Sequence, residues 1–157
     1  MSGWRPGHHR HVAIHNVLVR ATPEQVWAVL TDGWAYEKWV VGTKEIRSVD
    51  EGWPTPGTSI HYSFGAGPLT LDDETTVRIA EPARRLELEI RAGKLGTARL
   101  SIQILPWGDD AVLVLDEHPL SGAGAEWHNL VVDSMLRFRN RRMLKALASL
   151  VESRHPR

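Results

Sequence analysis

The sequence predicts an α+β fold in which a curved, seven-stranded antiparallel sheet wraps around one long C-terminal helix. Between residues 44 and 118, apolar and polar side chains alternate in segments joined by short connections, which pair neighbouring strands antiparallel. After residue 124 no proline appears for roughly 30 residues, enough for about 45 Å of helix. A sheet with one apolar face must be covered, and only this helix is long enough to cover it.

The first elements are a strand and two short helices. Residues 11–20 are rich in valine and isoleucine and predict the first strand. Thr22 as the cap, Pro23 at the first helical position and Gln25 three residues after the cap predict a helix start. A second short helix is predicted over residues 34–39.

Six strands and the long helix complete the order. The strands are predicted over residues 44–50, 58–64, 69–80, 84–91, 97–107 and 111–118. The clearest alternation places Leu86, Leu88 and Ile90 on one face of the fifth strand and charged residues on the other. Ser121 and the glycines after it are expected to open the helix, which extends to about residue 153.

Length and composition predict one globular domain. The chain has 157 residues, of which 42% are apolar and 24% are charged. We expect a flexible N-terminus over residues 1–10, a single domain over residues 11–153 and a short tail over residues 154–157. The histidines of the N-terminal segment are interpreted as part of a frayed polar terminus rather than as metal ligands.

Several classes of function are disfavoured. The absence of cysteine excludes a disulfide framework, a thiolate metal site and a cysteine nucleophile. No apolar run approaches the roughly 20 residues of a bilayer span and no signal peptide is evident, so we expect a cytoplasmic protein without stable membrane insertion. The 19 basic and 19 acidic residues argue against a general nucleic-acid binder. No phosphate loop, zinc motif or nucleophile elbow occurs, and neither a metal nor another cofactor is predicted.

The element order resembles that of the START-like helix-grip superfamily (SRPBCC), and it is most similar to the bacterial polyketide cyclase/dehydrase and lipid-transport-like group. The matching stretches are ATPEQVWAVLTD at 21–32, YEKWVVGTKEIRSVD at 36–50, WPTPGTSIHYSFGAGPLTLDDETTV at 53–77 and LDEHPLSG at 115–122. Members of this superfamily bind, carry or transform different apolar molecules, so the fold does not determine the activity. The curvature of such a sheet leaves a cavity beneath the long helix, where the function is expected.

Polar residues on the apolar face of the fourth strand are candidates for chemistry. By alternation, Asp73 and Thr75 share a face with Val77. A carboxylate there must be hydrated, paired or protonated, because an unpaired buried charge is costly. Asp73 is therefore either a polar anchor or general acid/base inside the cavity, or a structural residue near a bulge.

The third strand offers two arrangements that exclude each other. Tyr62 and Phe64 share one face with Ile60, and His61 lies on the other. If the histidine faces inward, it is the best general base in the chain, because its ordinary pKa lies near 6.5. If it faces outward, Tyr62 and Phe64 line the cavity. The pattern does not decide between the two.

The last strand and the long helix add further candidates. Glu117 is predicted near the cavity mouth or, in the reading we prefer, in an ion pair with His118 at the strand end. In the helix, Trp127, Val131, Ser134 and Phe138 recur at helical spacing, which is typical of core packing, and some of them also face any cavity. The basic run is interpreted as a solvated face that pairs with acidic strands; it comprises Arg137, Arg139, Arg141, Arg142 and Lys145.

Three aromatic residues of the short helices complete the set. In helix-grip proteins these helices close the cavity entrance, so the resemblance implies a lid formed by Trp34, Tyr36 and Trp39. Seven of the 11 aromatic residues are tryptophan, whose large apolar body suits the walls of a binding site.

We expect a protein that binds a hydrophobic or aromatic, lipid- or polyketide-like small molecule. The alternative is a cofactor-independent cyclase or dehydratase in which His61 or Asp73 removes a proton next to a carbonyl and Tyr62 or Thr75 orients the oxygen. A third hypothesis is a module that binds an apolar peptide. The sequence predicts neither the identity of the ligand nor the oligomeric state.

Overall fold

The computed structural model describes residues 13–66, 68–91, 96–121 and 130–157, and it confirms the predicted α+β fold. Strand β1 (Ala13–Val19) is followed by helix α1 (Pro23–Leu30), a short 3-10 helix (Gly33–Ala35) and helix α2 (Tyr36–Trp39). The other elements are β2 (Thr43–Val49), β3 (Ser59–Ala66), β4 (Leu69–Glu81), β5 (Arg85–Arg91), β6 (Thr97–Trp107), β7 (Asp110–Ser121) and α3 (Leu130–Arg154).

The seven strands form one sheet in the order β1-β7-β6-β5-β4-β3-β2, and every neighbouring pair is antiparallel. Helix α3 packs against β1, β7, α1 and α2. The core lies between the concave face of the sheet and these helices, where each fully buried large aliphatic side chain contributes about 1.5–3 kcal/mol. Its largest aliphatic members are Ile60, Leu86, Leu88, Leu100, Ile102, Leu113, Leu115, Met143, Leu144 and Leu147.

The predicted start of α1 is confirmed. The hydroxyl of Thr22 accepts a hydrogen bond from the backbone N–H of Gln25 at 3.2 Å, and the Gln25 side chain accepts one from the Thr22 N–H at 3.0 Å. With Pro23 following the cap, this capping box satisfies backbone donors that a helix start leaves unpaired.

The end of β7 differs from the prediction. Pro119 and Ser121 remain in register with Ala98 and Thr97 of β6, so the strand continues through Ser121. The prediction that Ser121 begins the long helix is therefore wrong, because the antiparallel ladder with β6 extends to this point. The rest of the predicted helix start, residues 122–129, lies outside the described residues.

Ion pairs and a hydrogen bond tie the C-terminal end of α3 to the ends of the neighbouring elements β1 and α1 and to the start of β7. Arg154 pairs with Asp32 at 3.0 Å, and the backbone N–H of Arg20 donates to Glu152 at 3.2 Å. Beyond the helix, Arg157 pairs with Asp110 at 2.7 Å. Within the described ranges, no helix has both the length and the apolar character needed to cross a membrane.

Candidate functional site

Three hydroxyl groups from three different elements meet on the concave side of the sheet. Tyr36 of α2 and Tyr62 of β3 both contact the Thr75 hydroxyl of β4, with oxygen–oxygen distances of 2.7 Å and 3.2 Å. The ring centroids of the two tyrosines are 5.2 Å apart. All three residues are buried, with exposed fractions of at most 2%. We call these three residues the hydroxyl cluster.

The pairing of β3 with β4 brings the cluster together. Tyr62 lies opposite Asp73, and Ile60 lies opposite Thr75. Because side chains alternate between the two faces of a strand, this register places Tyr62, Asp73 and Thr75 on the same face. A side chain at Gly65 would collide with the backbone carbonyl of the residue at which β4 begins, so only glycine fits this end of β3.

Burial controls the protonation of the two tyrosines. Burial raises the pKa of Tyr36 well above its ordinary value, and the nearby Tyr62 acts in the same direction. Burial also raises the pKa of Tyr62, although its hydrogen bond to Thr75 opposes the shift. Both phenols therefore stay protonated at neutral pH and serve as uncharged groups that donate and accept hydrogen bonds.

The inward-facing positions of β4 become progressively less exposed along the strand. Leu69 and Leu71 are 77% and 52% exposed, whereas Asp73 is 7% exposed and Thr75 and Val77 are fully buried. The concave face is thus open beside the β3–β4 hairpin and closed at the hydroxyl cluster. The open part carries apolar side chains, and Asp73 lies at the transition.

An ion pair between α3 and β7 adds charge to the interior. Arg139 lies 3.4 Å from Glu117, whose side chain is only 7% exposed. Burial raises the pKa of both tyrosines, and the positive charge of Arg139 opposes that rise. Arg139 was predicted as part of a solvated basic face. Its position four residues before the buried Met143 was the available signal that it faces inward.

His61 lies on the outer face of the sheet, away from the hydroxyl cluster. Its imidazole nitrogens are 3.4 Å from Asp50 and 3.6 Å from Glu74, and its side chain is partly exposed. The inward arrangement of His61 is therefore wrong, because Tyr62 and Ile60 fill the concave side of β3. Within the described ranges, no three histidine, aspartate or glutamate side chains are grouped in a way that could hold a metal ion.

The predicted lid residues separate into two environments. Tyr36 and Trp39 are buried and make an edge-to-face contact with centroids 5.4 Å apart. Trp34 is 58% exposed. Phe64 is half-buried and packs so closely against Gly42 that a side chain at that glycine would collide with its ring. Of the three predicted lid aromatics, only Trp34 lies at the surface.

The ion pair predicted between Glu117 and His118 is wrong. His118 pairs instead with Asp116 at 3.0 Å, on the outer face of the sheet. Adjacent residues of a strand point to opposite faces, so Glu117 is directed towards Arg139 and the interior.

Part of the predicted site lies outside the described residues. Trp127 lies outside the described residues. Val131, Ser134 and Phe138 belong to the described backbone of α3, but their side chains lie outside the described set. The candidate site that the structure describes is therefore formed by the hydroxyl cluster, Asp73 and the Arg139–Glu117 pair, together with the exposed leucines of β4.

Comparison with known proteins finds a matching family and several solved structures of the same fold. Residues 11–152 match the model of a protein family described as polyketide cyclase / dehydrase and lipid transport. No curated protein matches the sequence. Among solved structures, Ara h 8.0201 superposes with a TM-score of 0.70 at 15% identity, covering 91% of this chain and 98% of that chain.

Two further solved structures share the architecture. Protein CV1439 from Chromobacterium violaceum has a TM-score of 0.69 at 19% identity, and the superposition covers 90% of this chain and 98% of that chain. DynU16, from the dynemicin biosynthetic locus, has a TM-score of 0.68 at 19% identity, with 92% of this chain and 48% of that chain covered. At such identities the similarity shows a common fold and nothing about the ligand.

Proposed function

The chain belongs to the polyketide cyclase / dehydrase and lipid transport family of the START-like helix-grip superfamily, and we propose that it binds a hydrophobic or aromatic small molecule. The ligand lies between the concave face of the sheet and α3. The observation that carries this proposal is the decrease in side-chain exposure along β4. Leu69 and Leu71 are exposed, whereas Thr75 of the hydroxyl cluster is fully buried.

The leucines supply an apolar approach to the interior. Leu69 and Leu71 face the concave side and remain largely exposed, although a folded chain gains free energy by burying such side chains. A bound apolar molecule would cover them and regain that free energy. Exposed apolar surface that leads into the interior is typical of ligand-binding sites.

The hydroxyl cluster supplies a specific polar contact at the inner end. Tyr36, Tyr62 and Thr75 are uncharged, buried and already close together, so a ligand oxygen can join them without desolvating a charge. A few placed polar groups in an otherwise apolar site orient a ligand and discriminate between similar molecules. We therefore expect a ligand with an apolar body and at least one carbonyl or hydroxyl oxygen.

The proposal is tested by ligand screening with a matched pair of variants. Fatty acids, sterols and aromatic polyketides are screened by thermal shift and tryptophan emission, since a ligand at 100 times its Kd stabilises the fold by about 2.7 kcal/mol. Leu71→Asp should weaken binding of the hits. Leu105→Asp is the control, because Leu105 has a similar exposure but lies outside the candidate site. Failure of the entire screen, or equal effects of the two variants, would contradict the proposal.

An enzyme is the second candidate, and the burial of Asp73 beside Tyr62 favours it. Asp73 lies directly opposite Tyr62 in the β3–β4 pair, and its negative charge adds to the rise that burial causes in the pKa of Tyr62. In a cyclase or dehydratase, the Asp73 carboxylate would take a proton from the carbon next to a carbonyl, and a tyrosine O–H would stabilise the resulting enolate oxygen.

This second candidate predicts turnover of a linear polyketide-like substrate. Asp73→Asn should reduce the rate by at least about 100-fold, which is the lower range for losing a general base. His61→Ala, on the outer face, is the control and should leave the rate unchanged. Equal rates for the wild type and Asp73→Asn would reject the catalytic role of Asp73.

A further inference from the structure

Four polar side-chain atoms of Arg139, Asn140 and Glu117 lack hydrogen-bond partners. They are Nδ2 and Oδ1 of Asn140, Nε of Arg139 and Oε2 of Glu117, and all four are shielded from solvent in the described structure. Asn140 as a whole is fully buried. Buried polar groups are almost always paired in native proteins, so each exception needs an explanation.

Asn140 lies on a helix face whose other buried residues are apolar. Met143, Leu144 and Leu147 are buried on the same helix, at the three- and four-residue spacing that places side chains on one face. Asn140 continues this face towards the N-terminus of α3, where an apolar residue would avoid the cost of an unpaired amide. A bound ligand with a polar group would form hydrogen bonds with this amide, and this would explain why an asparagine occupies the position.

Two of these three residues, Arg139 and Glu117, belong to the candidate site. Arg139 precedes Asn140 on the same turn of α3 and lies 3.4 Å from Glu117 of β7. The positive charge of Arg139 also opposes the rise that burial causes in the pKa of Tyr36 and of Tyr62. The interior therefore has two sets of polar residues, the hydroxyl cluster and the group formed by Arg139, Asn140 and Glu117.

We propose that Asn140, Arg139 and Glu117 form a second polar subsite that binds an uncharged hydroxyl, phenol or carboxamide group of the ligand. This inference rests on the proposed binding function. The charges of Arg139 and Glu117 compensate each other, so a carboxylate or an ammonium group would bring an uncompensated charge into the interior. Two donor groups and two acceptor atoms are unpaired, which suits a group that both donates and accepts hydrogen bonds.

The test uses three probes that share one aromatic body. Binding of 2-naphthol, 2-methylnaphthalene and 2-naphthoate is measured by isothermal titration calorimetry. For the wild type we expect 2-naphthol to bind about tenfold more tightly than 2-methylnaphthalene, which corresponds to one buried hydrogen bond. The anionic 2-naphthoate should bind most weakly.

Substitutions of Asn140 then assign the preference to this subsite. Asn140→Leu keeps the approximate size and removes the amide, and Asn140→Ala removes it without adding bulk. Both variants should lose the tenfold preference for 2-naphthol and should bind 2-methylnaphthalene as tightly as the wild type. Asn140→Leu should not lower the melting temperature. Asn16→Leu is the matched control, because Asn16 is exposed on β1.

The possible outcomes separate the two proposals. If the wild type binds both neutral probes equally, or if the preference persists in both Asn140 variants, the second polar subsite is refuted and the apolar binding function stands. If Asn140→Leu lowers the melting temperature and weakens both probes alike, the amide has a structural role and the subsite is also refuted. If no probe binds the wild type, the subsite is refuted, whereas the proposed binding function is refuted only if the screen of fatty acids, sterols and aromatic polyketides also fails.

Discussion

Replacing Thr75 with valine tests the hydroxyl cluster directly. The Thr75 hydroxyl is the group that both tyrosines contact, at 2.7 Å and 3.2 Å. Valine has nearly the same shape, so Thr75→Val removes the hydroxyl without opening a large cavity. The buried hydroxyls of Tyr36 and Tyr62 then lose this partner and cannot turn to water.

The expected cost follows from these two contacts. A net contribution of about 1 kcal/mol for each hydrogen bond predicts a loss of about 2 kcal/mol in the free energy of unfolding. For a domain of this size, that loss corresponds to a decrease of about 6 °C in the melting temperature. In a chain that also carries Tyr36→Phe and Tyr62→Phe, Thr75→Val should cost less than about 0.5 kcal/mol, because no polar group is left unpaired.

Urea unfolding followed by tryptophan fluorescence measures these differences as a double-mutant cycle. Thr70→Val is the matched control on the same strand, since Thr70 is exposed and its hydroxyl accepts a hydrogen bond from Lys44 at 3.0 Å. The control should change stability by less than about 0.5 kcal/mol. The reasoning is refuted if Thr75→Val costs no more than the control, or if its cost is the same with and without the tyrosine hydroxyls.

Three further predictions concern pH and charge. Because the pKa of Tyr36 is raised in the folded state, its contribution to stability is complete below about pH 10 and is lost as the pH rises through the folded pKa, at up to about 1.4 kcal/mol per pH unit. Urea unfolding between pH 9 and 11 should show a shallower decline for Tyr36→Phe. Arg139→Met should lower stability by about 2 kcal/mol, because it leaves the buried Glu117 without a counter-charge, and adding Glu117→Gln should restore most of the loss. His61→Ala should leave ligand affinity unchanged and alter stability by less than about 1 kcal/mol, since both of its ion pairs are partly exposed.

Each of these predictions has a contradicting result. Identical alkaline declines for the wild type and Tyr36→Phe would show that this phenol does not control stability at high pH. A loss in Arg139→Met that Glu117→Gln does not repair would assign the effect to packing of the arginine stem rather than to charge. A loss of ligand affinity in His61→Ala would mean that the outer face takes part in binding.

The strands and the first helix were predictable because their signals are local. Alternation of Leu86, Leu88 and Ile90 identifies β5, and the Thr22 capping box identifies the start of α1. The end of β7 was not predictable in the same way. Ser121 resembles a helix cap in sequence, whereas its place in the ladder depends on Thr97 of the neighbouring strand.

The site was only partly predictable because it depends on which face of each element is covered. Alternation groups Asp73 with Thr75 and separates His61 from Tyr62, but it does not state which group faces the core. Packing decides that, and it buries Tyr62. The inward orientation of Arg139 was missed because a charged residue within a basic run is usually exposed to solvent. Its four-residue spacing to the buried Met143 indicated the buried side of the helix.

The register of β3 with β4 has a consequence for how this chain can change over evolutionary time. A one-residue insertion between Gly65 and Glu74 would turn the second half of the hairpin over, so that Glu74 would take the place of Thr75 beside Tyr62. Single substitutions can adjust the interior gradually, whereas such an insertion would exchange the Thr75 hydroxyl for a carboxylate in one step. Insertions and deletions should therefore be tolerated outside this hairpin far better than within it.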